Sequence, residues 1–364
     1  MTQVFQGVVT AVLFFLILGF TVVIHELGHF IVARLAKVRV LEFGIGFPPR
    51  AKVLRDQGET IYTLNWLPIG GFVKLEGEDG DEIDDPRSFG RAPLPIRLLI
   101  LAAGVVMNFV LAFVIFGGIA LVGDPALGIT VGEIQPGSPA ATAGIQPGDT
   151  LASINDESFD ALGGPTLLDA LHANAGQAVN LQVIRNGAMQ TINVRLRPAS
   201  EITPTNGALG VSKLVGTPTN VTIGHDPATA ARLGVERTIF ATRLIIGGLG
   251  DLVSGLINHP TEQPPASGPL GIAIQIGDTF WTLGPVFTLF LAGVLSANLG
   301  VVNILPLPPL DGGRMLIITL KSIFGPRISL RAEQVTYVVG FVFLFAFLIW
   351  VTGFDVIRQI GGSP

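Results

Sequence analysis

The sequence predicts a polytopic α-helical membrane protein with four transmembrane helices, a membrane-associated β-structure and one extracytoplasmic α+β domain. Of its 364 residues, 49% are hydrophobic and only 13% are charged, against a usual charged share of about a quarter. The mean hydropathy is +0.60. Four apolar stretches approach or reach the roughly 20 residues that a spanning helix needs. Together these observations exclude disorder and argue against an ordinary soluble domain.

The four stretches set the order of the membrane segments. They cover residues 8–24 with a continuation to 35, 98–122, 280–305, and 335–351. Residues 34–97 hold ten Lys and Arg in 64 positions, whereas residues 123–279 hold seven in 157. Because basic loops stay in the cytoplasm, we expect the first loop to be cytoplasmic and both termini to lie outside.

Between these helices the sequence predicts two regions with β-structure. In the cytoplasmic loop, residues 38–43, 51–54, 60–64 and 71–75 resemble strands separated by Pro and Gly, which indicates a small sheet at the membrane. Residues 127–198 form the extracytoplasmic domain, with strands at 129–134, 150–154, 179–185 and 190–196 and one helix at 163–173.

The chain therefore divides into four parts. Residues 1–122 form an N-terminal membrane half, 127–198 the extracytoplasmic domain, 199–279 a linker and helix, and 280–364 a C-terminal membrane half. Residues 199–229 are rich in Pro, Thr, Gly and Asn and indicate the linker. Residues 230–256 mix apolar and basic side chains, which fits a helix in the membrane interface and equally a surface helix packed on the spans.

Charge and composition limit the partners and the chemistry. The net charge of -5 offers no basic surface for a nucleic acid, so we expect none as a partner. The sequence contains no cysteine, which excludes disulfides, thiolate zinc sites and a cysteine nucleophile. Any metal must be held by His, Asp or Glu.

The chemistry is concentrated at the inner end of the first apolar stretch, which reads His25-Glu26-Leu27-Gly28-His29. This matches H-E-x-x-H, whose two histidines share a helix face and bind one Zn²⁺ while the glutamate acts as general base. Ionisable residues inside a membrane segment are costly to bury and usually functional. The alternative is that these residues only mark where the helix emerges into water.

A catalytic zinc ion normally has three protein ligands, so a third ligand is needed. His172, His225 and His259 lie in the extracytoplasmic segment, across the membrane from the motif. Asp311 follows the third span at its cytoplasmic end, within a segment rich in Pro and Gly, and returns to the depth of the two histidines. The sequence thus predicts one zinc per chain, with the alternative that Asp311 only caps the following helix.

The extracytoplasmic domain resembles the PDZ family. The resemblance rests on residues 137–149, which read GSPAATAGIQPGD, followed by the strand pattern of residues 151–156. PDZ domains add an extended peptide to a sheet edge beside an apolar-Gly-apolar loop. The resemblance assigns that loop to Leu127, Gly128 and Ile129. A domain that only covers the membrane part, without a peptide ligand, is the alternative.

Nearly the whole chain resembles the site-two protease family of intramembrane zinc metalloproteases, and most closely its bacterial regulator-of-sigma-E branch. The resemblance implies that His25, His29 and Asp311 bind zinc and that Glu26 is the catalytic base. It places the protein in a bacterial inner membrane with the PDZ-like domain in the periplasm. The matching stretches are the H-E-L-G-H span, Gly70-Gly71-Phe72-Val73-Lys74, Ala103-Gly104, Asn108-Phe109, Ser267-Gly268-Pro269-Leu270-Gly271-Ile272, and residues 303–313.

The same resemblance implies how a substrate would be held. The family hydrolyses peptide bonds in or near the membrane segments of single-span proteins such as anti-sigma factors or signal peptides. Asn298, Asn303 and Pro306 would hold the unwound substrate, and the β-structure of the first loop would re-enter the membrane. Well-known members of this branch carry two PDZ domains, whereas this sequence contains one. The rival functions are a membrane-anchored PDZ scaffold and a metal transporter.

Overall fold

The computed structural model describes residues 2–56, 58–78, 85–159, 166–203, 206–258, 263–325 and 329–360. The chain divides into two compact units. The helical unit comprises Met1–Phe116 and Thr238–Pro364, and the sheet unit comprises Gly117–Arg237.

The helices and strands follow in chain order. The helices are α1 (Thr2–Leu35), α2 (Leu94–Val122), α3 (Pro139–Ala143), α4 (Leu167–Ala173), α5 (Pro227–Asn258), α6 (Pro269–Thr282), α7 (Pro285–Asn303), α8 (Asp311–Phe324) and α9 (Leu330–Ile360). The strands are β1 (Val40–Arg55), β2 (Ile61–Leu75), β3 (Asp124–Thr130), β4 (Glu133–Ile134), β5 (Thr150–Ile154), β6 (Glu157–Ser158), β7 (Ala178–Arg185), β8 (Ala188–Arg195), β9 (Val211–Ser212) and β10 (Val215–Ile223).

Several of these helices are long and apolar enough to cross a membrane, as a polytopic membrane protein requires. Within the described residues there are five of them, namely α1, α2, α5, α7 and α9. Four were expected, and α5 is the additional candidate. The number of spans and the interfacial placement of α5 therefore stay predictions.

The third predicted span is not one continuous helix. The sequence predicted a helix over residues 280–305, but α6 ends at Thr282 and α7 begins at Pro285. Gly284 has φ of 92°, a conformation that glycine adopts readily, and Pro285 has no N–H group to continue the ladder. Helix α7 covers most of the predicted stretch and is long and apolar enough to cross a membrane, whereas residues 280–282 belong to α6, before the break.

The first loop folds into a long antiparallel hairpin of β1 and β2, which joins the predicted short strands. Residues 42–45 of β1 pair on one side with residues 71–74 of β2 and on the other side with residues 61–64. Because β2 folds back in this way, residues 71–75 form an outer strand of the sheet. No strand among the described residues pairs with their second side.

The sheet unit is built on strands in the order β10-β3-β5-β7-β8, with β6 paired to β5 and β4 paired to β9. Its core contains Leu151, Leu167, Leu181 and Val183, each at most 2% exposed. The strands β5, β7 and β8 lie where the sequence predicted them. The helix predicted over 163–173 is present from Leu167, and residues 160–165 lie outside the described part of the chain.

The prediction that residues 199–229 form a linker was wrong in part, because some of this segment belongs to the sheet. Strand β10 runs antiparallel to β3, with Thr217 opposite Gly128 and Val215 opposite Thr130. The composition of the segment is typical of loops, but pairing with a distant strand decides the outcome, as is common for strands. The sheet unit therefore continues well past residue 198.

Two buried ion pairs stabilise the sheet unit. Asp124 is fully buried and receives two hydrogen bonds from Arg237, at 2.8 and 2.7 Å. Asp149 is 1% exposed and receives two from Arg185, at 2.8 and 2.6 Å, plus one from the backbone N–H of Gln146. Burial opposes ionisation of Asp149, yet these hydrogen bonds outweigh it and lower the pKa of the carboxyl.

Candidate active site

Helix α1 brings the two motif histidines together, as the sequence predicted. His25 and His29 are 5% and 7% exposed and are one helical turn apart. Their Nε2 atoms lie 3.1 Å from each other. The two rings therefore present two nitrogen ligands to one point.

Asp311 completes this group from the start of α8. Its Oδ2 lies 3.0 Å from Nε2 of His25 and 3.3 Å from Nε2 of His29. The N-cap of α8 is Leu310, which makes no side-chain capping bond. Because the carboxylate of Asp311 points at the imidazoles, the alternative that it only caps α8 does not fit this geometry.

The three side chains fit a zinc ion by both chemistry and spacing. Two imidazole nitrogens and one carboxylate oxygen form a usual catalytic set, and bonds of about 2.0–2.1 Å in a tetrahedron separate ligand atoms by roughly 3.3 Å. The three observed separations are 3.1, 3.0 and 3.3 Å. Oδ2 of Asp311 is buried and has no hydrogen-bond partner. The group can therefore hold one metal ion.

Helix α2 orients one ring through its backbone. Nδ1 of His29 lies 2.8 Å from the carbonyl oxygen of Ile100. Since a carbonyl can only accept, Nδ1 carries the proton and donates it, which leaves the lone pair of Nε2 free for a metal. The tautomer of His29 follows from this contact.

Two glycines allow α1 and α2 to approach closely enough for this contact. A Cβ atom at Gly104 would overlap Nε2 of His29 and the ring of His25. A Cβ atom at Gly28 would overlap the carbonyl oxygen of Ala103. The Gly28 position of the motif and the Ala103-Gly104 pair therefore have a steric role beside the metal ligands.

Glu26 lines a cavity of about 210 Å³ that also contains His29 and Asp311 in its wall. Oε2 of Glu26 accepts a hydrogen bond of 3.1 Å from the backbone N–H of Val73 on the outer strand of the hairpin. The geometry places a carboxylate, two candidate metal ligands and a strand edge around one small space.

Sequence reasoning missed two further residues of this cavity, Glu78 and Arg314. Nη1 of Arg314 lies 2.6 Å from Oε1 of Glu78, and Oε2 of Glu78 accepts a hydrogen bond of 3.1 Å from the N–H of Leu75. Arg314 follows Asp311 by three positions on α8. A helix places residues three apart on one face, and this spacing was the available signal.

The residues expected to hold substrate are placed differently from one another. Nδ2 of Asn303 lies 3.4 Å from Nε2 of His25, so this residue joins the site. Asn298 lines a separate apolar cavity of about 190 Å³ between α1, α6 and α7. Pro306 is exposed in the turn before α8. Their roles toward a substrate stay predictions.

Two of the other histidines, His172 and His225, belong to the sheet unit. There, Nε2 of His225 lies 3.0 Å from Oδ2 of Asp124. His259 lies outside the described residues. Asp311 is therefore the residue that joins His25 and His29 within the described part of the chain.

Strand addition at Leu127, Gly128 and Ile129 does not fit the sheet. These residues belong to β3, which pairs with β10 on one side and with β5 on the other. A peptide cannot add to a strand whose two edges are both paired. Residues 209–211 are another apolar-Gly-apolar stretch of the sheet unit and lead into β9, which pairs only with β4 among the described strands.

Known proteins resemble this chain over almost its full length. A family model described as Peptidase family M50 matches residues 13–347. A protein of Clostridium acetobutylicum named as a zinc metalloprotease is 33% identical, covering 98% of this chain and 99% of its own. The regulator of sigma-W protease RasP of Bacillus subtilis is 28% identical, covering 96% of this chain and 98% of its own.

A second RasP shows the same extent of similarity. The zinc metalloprotease RasP of Geobacillus kaustophilus is 26% identical, covering 94% of this chain and 96% of its own. The match to the family model contains His25, Glu26, His29 and Asp311, the residues gathered around the cavity.

Proposed function

The chain belongs to peptidase family M50 and is a metalloprotease, and from this membership we propose that it cleaves peptide bonds in or near the membrane segments of other proteins. The observation that carries the proposal is the convergence of His25, His29 and Asp311 at the end of a long apolar helix. A hydrolytic site on a membrane-spanning helix can act only on a part of the substrate that reaches the same depth in the membrane.

His25, His29 and Asp311 would hold one zinc ion per chain. When bound, zinc supplies a Lewis acid that activates water and the scissile carbonyl. Ile100 fixes the ring of His29 through its carbonyl, and Gly104 leaves room for both rings. The role of the chain at this step is to hold the three ligand atoms at fixed separations.

Glu26 is the general base in this proposal. Its carboxylate accepts a proton from the attacking water and afterwards donates that proton to the leaving amine. In the structure Oε2 of Glu26 is held by the N–H of Val73. The Val73 amide thus keeps the carboxylate in the wall of the cavity, beside two of the metal ligands.

The outer strand of the hairpin would hold the substrate in an extended form. A helix satisfies its own backbone groups, and an unpaired backbone group in lipid costs several kcal/mol, so an unwound segment needs new partners. The N–H groups of Val73 and Leu75 donate to the side chains of Glu26 and Glu78 instead of to β1. A carbonyl group of a substrate strand could replace the carboxylate of Glu78 at the N–H of Leu75, while the N–H of Val73 continues to hold Glu26.

Asn303 would add a side-chain donor near the metal ligands. Its amide lies beside His25, and an amide offers two donors and one acceptor to an unwound backbone. A bond that only links two helices is the alternative for this residue.

The sheet unit would act on access to the site rather than in the chemistry. We propose that it is PDZ-like, lies in the periplasm of a bacterium whose inner membrane contains the helical unit, and captures an extended peptide at β9. The substrates would be single-span proteins resembling anti-sigma factors or signal peptides. The support is the sheet order, in which β9 has one unpaired side among the described strands.

Substitution of the base tests this function. Glu26→Gln keeps the shape of the side chain and both histidines, so zinc and substrate should still bind. Loss of general-base catalysis typically costs about 10²- to 10⁴-fold, and cleavage of a labelled single-span protein in liposomes should fall at least that far. Glu157→Gln, an exposed carboxylate on β6, is the matched control and should cleave like the wild type.

The outcomes separate a protease from a scaffold or a transporter. Equal cleavage by Glu26→Gln and wild type would end the proposed mechanism. Equal capture of substrate by both proteins, with cleavage only by the wild type, would support the proposed mechanism and argue against a scaffold function. Transport of zinc into liposomes by both proteins would instead favour a metal transporter.

A further inference from the structure

Asn108 on α2 is a fully buried polar residue that the proposed mechanism does not use. It lies at 0% exposure, and its Nδ2 is 3.0 Å from Nδ1 of His25. Its Oδ1 is buried without a hydrogen-bond partner. A buried amide with an unpartnered oxygen is costly, so the environment of this side chain requires an explanation.

The neighbouring histidine supplies the missing partner. If His25 offers the lone pair of Nε2 to a metal, the proton of the neutral ring must sit on Nδ1. Nδ1–H then needs an acceptor, and the nearest polar side chain is Asn108. Exchanging the two ends of the amide places Oδ1 at the position facing Nδ1, where it accepts this proton.

His29 supports this assignment because it is already held in the same way. Its Nδ1 donates to the carbonyl oxygen of Ile100, also on α2. Helix α2 would therefore present one acceptor to each ring, a backbone carbonyl for His29 and a side-chain carbonyl for His25. Such partners of metal-bound histidines fix the tautomer and the ring orientation.

The position of Asn108 is itself fixed by α7. Oγ of Ser296 donates a hydrogen bond of 2.8 Å to the backbone carbonyl of Asn108. A Cβ atom at Gly300 would lie 3.4 Å from Cβ of Asn108, so the two helices are in close contact there. The backbone of Asn108 is therefore fixed where α2 meets α7, and its fully buried amide faces His25 on α1.

We propose that Asn108 is a positioning residue for the metal site, and that its Oδ1 accepts the Nδ1 proton of His25 and directs Nε2 toward the metal. This inference rests on the proposed function, because it assumes that His25 is a ligand. Loss of such a partner typically lowers metal affinity about 10- to 100-fold.

The test measures zinc affinity of the full-length protein in detergent by competition with a chromogenic chelator. Asn108→Leu has a similar volume but no acceptor, and its dissociation constant for zinc should rise about 10- to 100-fold. Asn108→Asp keeps an oxygen at the same place and should retain tight binding. Asn258→Leu, at the exposed end of α5, controls for the substitution itself and should match the wild type.

The absorption spectrum of bound Co²⁺ reports on ligand geometry without measuring activity. It should change in Asn108→Leu and return toward the wild-type form in Asn108→Asp, which a merely structural role would not produce. If Asn108→Leu does not fold, Asn108→Ala takes its place. A wild-type zinc affinity in folded Asn108→Leu or folded Asn108→Ala would overturn the proposal.

His25→Ala distinguishes failure of this inference from failure of the function on which it rests. Loss of zinc in His25→Ala together with wild-type affinity in Asn108→Leu would overturn only the role of Asn108. Full zinc binding in His25→Ala would mean that His25 is not a ligand, and both proposals would then be wrong.

Discussion

Buried carboxylates have different partners in the helical unit and in the sheet unit. In the sheet unit, Asp124 and Asp149 are each held by two hydrogen bonds from one arginine. In the helical unit, Asp311 faces two imidazoles and keeps a buried oxygen without a hydrogen-bond partner. A fully paired carboxylate stabilises a fold, whereas an open one beside other ligand atoms is available for a metal.

An unpartnered atom alone does not identify a functional site. Asp355 on α9 is also buried, and its Oδ2 accepts a hydrogen bond from the N–H of Gly271 at the start of α6, while Oδ1 has no hydrogen-bond partner and lies 3.9 Å from Nη1 of Arg358. Among the described residues, Asp355 belongs to no group of three ligand-forming side chains that converge as His25, His29 and Asp311 do. The difference between Asp311 and Asp355 is therefore convergence of several ligand atoms, and this difference can be tested.

The largest expected effect comes from removing Asp311. Asp311→Ala should lose most of the bound zinc and all measurable cleavage, because two imidazoles alone leave the site one ligand short. Asp355→Ala removes another buried carboxylate of this kind and should keep one zinc per chain. Elemental analysis of folded, detergent-purified protein measures both. Stoichiometric zinc in Asp311→Ala would place the third ligand elsewhere.

A smaller and differently located effect should follow from breaking an ion pair in the sheet unit. Asp124→Ala leaves the buried guanidinium of Arg237 without its carboxylate, and losing one partner of a buried pair costs about 3–5 kcal/mol. The sheet unit should become sensitive to proteolysis in the full-length protein. Exposed Glu157→Ala is the control and should resist like the wild type.

The same Asp124 variant tests whether the two units divide structure and chemistry between them. Zinc content should stay at one per chain, and cleavage of a short substrate that does not need capture by the sheet unit should remain measurable. Loss of zinc in a variant whose helical unit remains folded would contradict this division.

The sequence predicts those site residues that are close together in the chain, and those that the order of the membrane segments brings to the same depth. His25 and His29 lie one turn apart, so the pattern itself places them together. Asp311 is 282 positions beyond His29, but the order of membrane segments returned it to the same depth. Arg314 could have been inferred from its spacing to Asp311 on α8, whereas Glu78 was missed because an ion pair with a distant segment leaves no pattern in its own sequence.

The strands were harder to predict where their partners are distant in sequence. The segment 199–229 has the composition of a linker, yet β10 pairs with β3 across about 90 positions. That pairing closes the edge on which Leu127, Gly128 and Ile129 were expected to bind a peptide. Asn108 stands out in the sequence as an amide within an apolar span. Only the structure shows that this amide faces His25.

The smallest expected effect is a dependence of the sheet unit on pH. Asp149 has a lowered pKa in the folded protein, because the hydrogen bonds from Arg185 and Gln146 outweigh the effect of burial. A carboxyl whose pKa is lower in the folded state contributes stability above its unfolded value, near 3.9, and this contribution is lost as the pH falls toward the folded value. The sheet unit should therefore lose protection against proteolysis by an acid-active protease below about pH 4.

Asp149→Asn tests this dependence. It lacks the charged carboxylate that pairs with Arg185, so it should be less stable than the wild type at neutral pH. Because it cannot titrate, its stability should change less on acidification. Glu157→Gln should follow the wild-type curve. Parallel curves for the wild type and Asp149→Asn would mean that this buried carboxylate does not contribute to the acid response, and that pairing with an arginine has not stabilised its charged form.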